Sequence, residues 1–405
     1  MFFSADMGSR MLNRLAPFLW PRLAPVSILA VCLFFASVAP AGATDPNPGV
    51  NQPDHVAWQL FAAIVQYRAS AGNNDALFET WASDADTFGA APSWPSPESA
   101  AKPLTASRLG RDIRAHRPGS AALPTVADCV AGWRPGAAPC IGEEVRRNRA
   151  SFDYIVQNGL YTQAGLAAYF GKGLSFPIGA VEVKADWIPV DELQSWNGTP
   201  PDQADRLYHV NTVAGPGGKP VSYALVALHL VSKTMPSWSW ASFEHWKNPA
   251  RCDEIGCQDL YGAAVAHVLP NARPGQDYPD CAKSSALLEE FIEAGLSPVW
   301  QNYCLKGTQA SYVTATGTAT LLGSSVIEGL NAGVPVAQSS CMTCHATAAF
   351  NAKGAALAIG LDADQTGAPQ PGWFGSGATA FQQADFVWAV PLCAVPTGGK
   401  SPCGG

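Results

Sequence analysis

From Asp54 the apolar residues Val56, Leu60, Ala63, Ile64 and Tyr67 recur at helical spacing, which predicts an amphipathic helix ending near Gly72. Asn74 to Ala82 reads as a second, short helix, and the proline-rich run from Pro92 to Pro103 as loop. Glu143 to Phe170 predicts further helix, interrupted at Asn158-Gly159 and resumed from Ala164 to Tyr169. Then the period changes. Phe176 to Val190 alternates apolar and polar residues, the pattern of a half-buried strand. Tyr208 to Val213, Tyr223 to Ser232 and Ser237 to His245 repeat it, and Gly215-Pro216-Gly217-Gly218 forms a hairpin-like link. Strands so tightly joined argue for antiparallel pairing. Ser284 to Ala294 adds a helix, Tyr312 to Thr320 a strand rich in Thr and Val, and the Ala-rich stretch from Ala346 to Ile359 another helix. The expected fold class is α+β, an antiparallel sheet core flanked by helices over residues 44–305, with a helical C-terminal region over 306–405.

The N-terminus carries a different signal. Arg10, Arg14 and Arg22 form a positive region, Val26 to Val38 an apolar one, and Ala41-Gly42-Ala43 an A-x-A cleavage site. Residues 1–43 therefore read as a signal peptide, cleaved near Ala43, and the mature protein is expected in the periplasm. The apolar run is short for a spanning helix, so no stable membrane insertion is expected after cleavage. Loss of this leader removes three Arg and one Asp, which moves the net charge from −7 to −9. An acidic chain is a poor partner for nucleic acid or an anionic membrane. With 47% hydrophobic and 14% charged residues the chain has ample core for a globular fold.

Eleven cysteines include Cys32 in the leader and the pair Cys341 and Cys344, leaving eight. An even remainder in an oxidising compartment reads as four disulfides, and nearest-neighbour pairing gives 129–140, 252–257, 281–304 and 393–403. Eight thiols allow 105 connectivities, so spacing alone leaves the others open.

Cys341-Met342-Thr343-Cys344-His345 is a C-x-x-C-H run, the attachment signature of c-type haem. Two thiols at this spacing add to the two vinyl groups of one haem, and the following His supplies an axial ligand to the iron. A zinc half-site is disfavoured because the chain contains no second C-x-x-C. No Met or His follows His345, so any protein sixth ligand comes from upstream, or the iron keeps an open position. The upstream candidates are His229, Met235 and His245, which lie on one strand–turn–strand stretch together with Trp238, Trp240, Phe243 and Glu244. A core role for Met235 and a hydrogen-bonded structural role for either His compete with ligation.

Several stretches together resemble a group of exported bacterial proteins described as cytochrome c family proteins. They are Val181-Glu-Val-Lys184-Ala-Asp-Trp187, His229-Leu-Val-Ser-Lys233-Thr234, Trp238-Ser-Trp240-Ala-Ser-Phe243-Glu244-His245, Leu322-Gly-Ser-Ser-Val-Ile-Glu328, Ser340-Cys-Met-Thr-Cys-His345 and Asp385-Phe-Val-Trp388. The resemblance implies a protein with a single covalent haem c, held by Cys341 and Cys344 with His345 on the iron, and names no substrate. Two functions remain open. One is single-electron transfer with a periplasmic redox partner protein. The other is a haem-dependent peroxidase or oxygenase, whose small-molecule substrate meets an open iron facing the upstream sheet.

Overall fold

Seven strands in one antiparallel sheet organise the chain, seen in a computed structural model that describes residues 48–70, 73–96, 140–214, 220–234, 238–270, 281–332, 335–357 and 366–403. The strands in chain order are β1 (Tyr67–Ser70), β2 (Asn73–Ala76), β3 (Ala82–Ser83), β4 (Gly142–Arg147), β5 (Val181–Pro189), β6 (Val210–Ala214), β7 (Pro220–Ser232), β8 (Ser239–His245), β9 (Cys257–Gln258), β10 (His267–Val268), β11 (Tyr303–Gln309), β12 (Ala349–Asn351) and β13 (Phe381–Gln383). The sheet runs β11-β8-β7-β5-β4-β3, and β6 and β8 share one edge of the long β7. Three two-stranded ladders, β1-β2, β9-β10 and β12-β13, lie outside it. The helices used below are α1 (Pro53–Ile64), α2 (Arg149–Gln157), α3 (Gln163–Tyr169), α4 (Ser285–Glu293) and α5 (Cys341–Ala346). The molecule is α+β. Residues Asp45–Gly405 form one compact unit, and the expected boundary at 305/306 falls inside β11. No helix among the described residues is long and apolar enough to cross a membrane.

The alternation read from the sequence gives the sheet two unlike faces. Ala185, Leu228, Phe243 and Leu305 are successive cross-strand neighbours on one face. They pack against Trp58 and Phe61 of α1 and Leu287 and Phe291 of α4. Burying each such side chain is worth about 1.5–3 kcal/mol, so this face anchors the fold. Pro53 opens α1 at a position that needs no amide donor, and Asp54 accepts from the Leu260 amide and the Thr308 hydroxyl, tying α1 to β11. The opposite face is polar. Lys184 of β5, His229 of β7 and Ser242 of β8 lie side by side, and the next row carries Glu143, Asp186 and Glu244.

Several expectations are corrected. The first helix stops at Ile64, and Tyr67 instead begins β1, paired with Ala76. Asn74 to Ala82 is not a helix but β2, a 3-10 turn and the start of β3. Glu79 explains this: its carboxylate accepts from the Ala76 amide, the Asn211 side chain and His209, partners that a continuous helix would not supply. Residues 142–147 form β4 rather than helix, because the extended chain lets their charged side chains reach partners within the strand, on β5 and on the segment before it, including the Trp81 carbonyl for Arg146. Arg146 meets Glu144 at 2.7 Å, and Arg147 meets Asp84, Thr87 and Glu182. The helix begins only at Arg149, where the Asn148 side chain caps the Ser151 amide. Tyr312 to Thr320 forms an isolated bridge between Val313 and Ala319, not a strand. The helix expected over 346–359 ends at Ala346, and Ala349–Asn351 turns into β12. The hydroxyl of Thr347 and the indole of Trp388 both donate to the Cys344 carbonyl, and Gln383 donates to that of Ala346. Those donors satisfy the last helical carbonyls and release the chain to pair with β13.

Three disulfides fall as nearest-neighbour pairing has them: Cys252–Cys257, Cys281–Cys304 and Cys393–Cys403. Cys140 is also disulfide-bonded. Its expected partner Cys129, the signal peptide at 1–43 and the link at Gly215–Gly218 lie outside the described residues.

Candidate functional site

Helix α5 holds the C-x-x-C-H run, and its two ends are fixed from several directions. Ser340 caps it, accepting from the Thr343 amide and from the Gln309 side chain of β11. The other end of Gln309 accepts from the Met342 amide at 2.9 Å. Met342 itself is buried among Trp238, Trp240, Leu322 and Val387, so it faces the protein core. Cys341 is also buried, with its thiol donating to the Leu322 carbonyl. Every other described cysteine is in a disulfide, whereas Cys341 and Cys344 are free thiols.

His345 is held by one ring nitrogen. Its Nδ1 lies 2.8 Å from the Phe386 carbonyl, which can only accept, so Nδ1 carries the proton. Nε2 is left as an available lone pair, with no hydrogen-bond partner among the described residues. Burial pulls this imidazole down to about 4, so it is neutral at pH 7, the form that binds metals. The Trp240 ring stands 5.7 Å from it, and Phe386 packs against Trp240 at 5.3 Å.

Around this helix the polar face of the sheet supplies a cluster of charged groups. His229 Nε2 meets both carboxylate oxygens of Glu328 at 3.1 Å. Donor atoms of His229, Glu328 and Cys341 all lie within 4.8 Å of one another. The other ring nitrogen of His229, Nδ1, is buried with no partner among the described residues. Burial works to raise the Glu328 carboxyl, but the charge and hydrogen bond of His229, the Ser324 amide and Lys184 outweigh it and hold it down at about 2. Lys184 pairs with Glu143 at 3.1 Å.

Cys344 is exposed, yet the surrounding protein is the main reason its thiol is pushed up to about 11. Lys184 and Glu328 each keep 20% of their side-chain exposure and act electrostatically on Cys344. The motif thus lies within electrostatic reach of the charged row of the sheet.

Of the candidate sixth ligands among the described residues, His229 and His245, only His229 stands beside the motif. His245 lies on the apolar face of the sheet, stacked 3.6 Å from Tyr208. Its Nε2 donates to the Leu207 carbonyl and its Nδ1 accepts from the Lys247 amide, so neither nitrogen is left for a metal. Met235 lies outside the described residues. Glu244 does not act with His245; adjacent strand residues face opposite ways. It is fully buried and accepts from the amide and hydroxyl of Ser325, the Asn248 side chain and Lys306. That contact seats the segment from Ser325 to Ala332, which carries Glu328. Lys184 and Glu328 are site residues that pattern reading left without a role. The signal available was position: Lys184 occupies a polar place in an alternating strand, directly across from His229.

The chain finds no match among protein-family models, curated proteins or solved structures.

Proposed function

We propose that the chain is an exported, periplasmic monohaem c-type cytochrome, with haem bound through thioethers to Cys341 and Cys344 and to His345 Nε2, serving single-electron transfer. The observation that carries this reading is the state of α5: a neutral His345 with Nδ1–H on the Phe386 carbonyl and Nε2 free, beside the two free thiols among the described cysteines. Metal-binding histidines are oriented in this way, by a hydrogen bond at the nitrogen that does not bind. The residues fit the group in a second respect, since the Cys344 thiol is exposed. When bound, haem supplies a one-electron ferric–ferrous couple. The protein's part is to hold the axial imidazole in one tautomer, to seat Met342 in the core, and to set charged groups beside the motif. The test is mass spectrometry of the secreted protein. A haem mass on the peptide containing residues 341–345 is expected; a bare peptide with free or oxidised thiols rejects the reading.

A second reading, a haem-dependent peroxidase or oxygenase, has one observation in its favour. His229, tethered by Glu328, lies next to Cys341 with a buried free nitrogen, an arrangement suited to moving a proton at Nδ1. Absorption and EPR spectra separate the two. A low-spin iron indifferent to carbon monoxide supports electron transfer, and a high-spin ferric iron that binds cyanide supports catalysis.

A further inference from the structure

The carbonyl that holds His345 belongs to a segment in a costly conformation. Asp385 and Phe386 have φ of 48° and 67°, the left-handed region that residues with a Cβ rarely adopt. Two consecutive residues there are strained and persist only where neighbours enforce them. The enforcing contacts are on Asp385. Its carboxylate accepts from the Phe176 amide at 2.6 Å and pairs with Lys233. Lys233 is 3% exposed, donates also to Ser175 Oγ, and lies 5.8 Å over the ring of Trp238, itself at φ 58°. Trp238 in turn packs edge-on against Phe176. Lys233 follows the last residue of β7, and its amide bonds to the Ala180 carbonyl just before β5, so the clamp is rooted in the sheet.

We infer that Lys233 and Asp385 are positioning residues for the metal-binding imidazole. Their buried ion pair holds the strained Asp385–Phe386 segment so that the Phe386 carbonyl stays on His345 Nδ1. The inference rests on the haem reading above. A hydrogen bond accepted from Nδ1–H makes the imidazole a stronger electron donor and favours ferric iron. Loss of the clamp therefore raises the midpoint potential.

The experiment is potentiometry on haem-loaded parent, Lys233→Met and Asp385→Asn proteins, with Lys233→Arg as the conservative variant. Both disruptive variants are expected to shift the midpoint potential upward, and Lys233→Arg to stay near the parent. The Lys233→Met result separates positioning from simple charge. Removing a cation next to an intact carboxylate would lower the potential if only the field mattered, whereas a released carbonyl raises it. Unmoved potentials, or opposite shifts in the two variants, overturn the inference while leaving haem attachment intact. A parent protein without covalent haem overturns the functional reading and this inference with it. Should Asp385→Asn give no folded holoprotein, Phe386→Gly replaces it. Placed in the Lys233→Met protein, glycine takes this φ without strain, so a return of the midpoint potential towards the parent is expected, an unmoved value counting against the clamp.

Discussion

His245 is buried and His345 half-buried, and their surroundings give the two imidazoles opposite uses. His245 spends both nitrogens on backbone groups, while His345 spends one. Burial draws His245 down to about 3, below its value in an unfolded chain near 6.5. Between those two values the unfolded state binds the proton and the folded state does not. Stability therefore falls as pH drops through that window, by up to about 1.4 kcal/mol per pH unit from this group. A His245→Gln variant is expected to have lower stability at pH 7 and a flatter stability–pH profile between pH 6 and 4, measured by urea unfolding. An equally steep profile would show that other groups set the acid response. The same variant should leave the haem spectrum unchanged, because His245 lies on the apolar face of the sheet.

At the scale of elements, the polar face of the sheet is held shut by buried charge pairs. Glu244 and Lys306 are both fully buried, and Glu244 also seats Ser325. Replacing Glu244 by Gln keeps a hydrogen-bonding group but strands the Lys306 cation, which typically costs about 3–5 kcal/mol. The expected outcome is a large fall in urea midpoint together with a changed haem spectrum, since Glu328 sits on the segment that Glu244 seats. Stability lost with an unaltered spectrum would separate the two effects. The Cys281–Cys304 bond, separated by 23 residues, ties the start of α4 to β11. A Cys281→Ser/Cys304→Ser double variant is expected to lose about 3 kcal/mol, read in the same unfolding assay. Strands β5, β6, β7 and β8 were legible because their alternation separates an apolar face from a polar one. β4 was not, because Glu and Arg favour helix locally and only partners far along the chain, such as Asp84 for Arg147, make a strand of them. β11 escaped for a related reason. Its inward side carries Lys306, which looks exposed until Glu244 and the Arg251 carbonyl are placed beside it.

On the whole-molecule scale, the motif was readable from five letters, but its setting was not. Lys184, His229, Glu328 and Asp385 are spread over about two hundred residues and meet at α5 only because the sheet and the closing segment fold onto each other. A haem bound at α5 would add contacts that the bare chain lacks. A Cys341→Ala/Cys344→Ala protein is therefore expected to keep the native circular dichroism while melting below the haem-loaded parent. Equal melting temperatures would mean that the fold gains nothing from the bound group. The cysteine arrangement has one more consequence, for the order in which the chain matures. The Cys252–Cys257 and Cys281–Cys304 bonds join near neighbours that precede the motif, so an N-to-C emerging chain can retire those four sulfurs before Cys341 arrives. Only Cys393 and Cys403 emerge later, close enough to find each other first. Oxidative folding can thus proceed around the motif without competing for its two sulfurs.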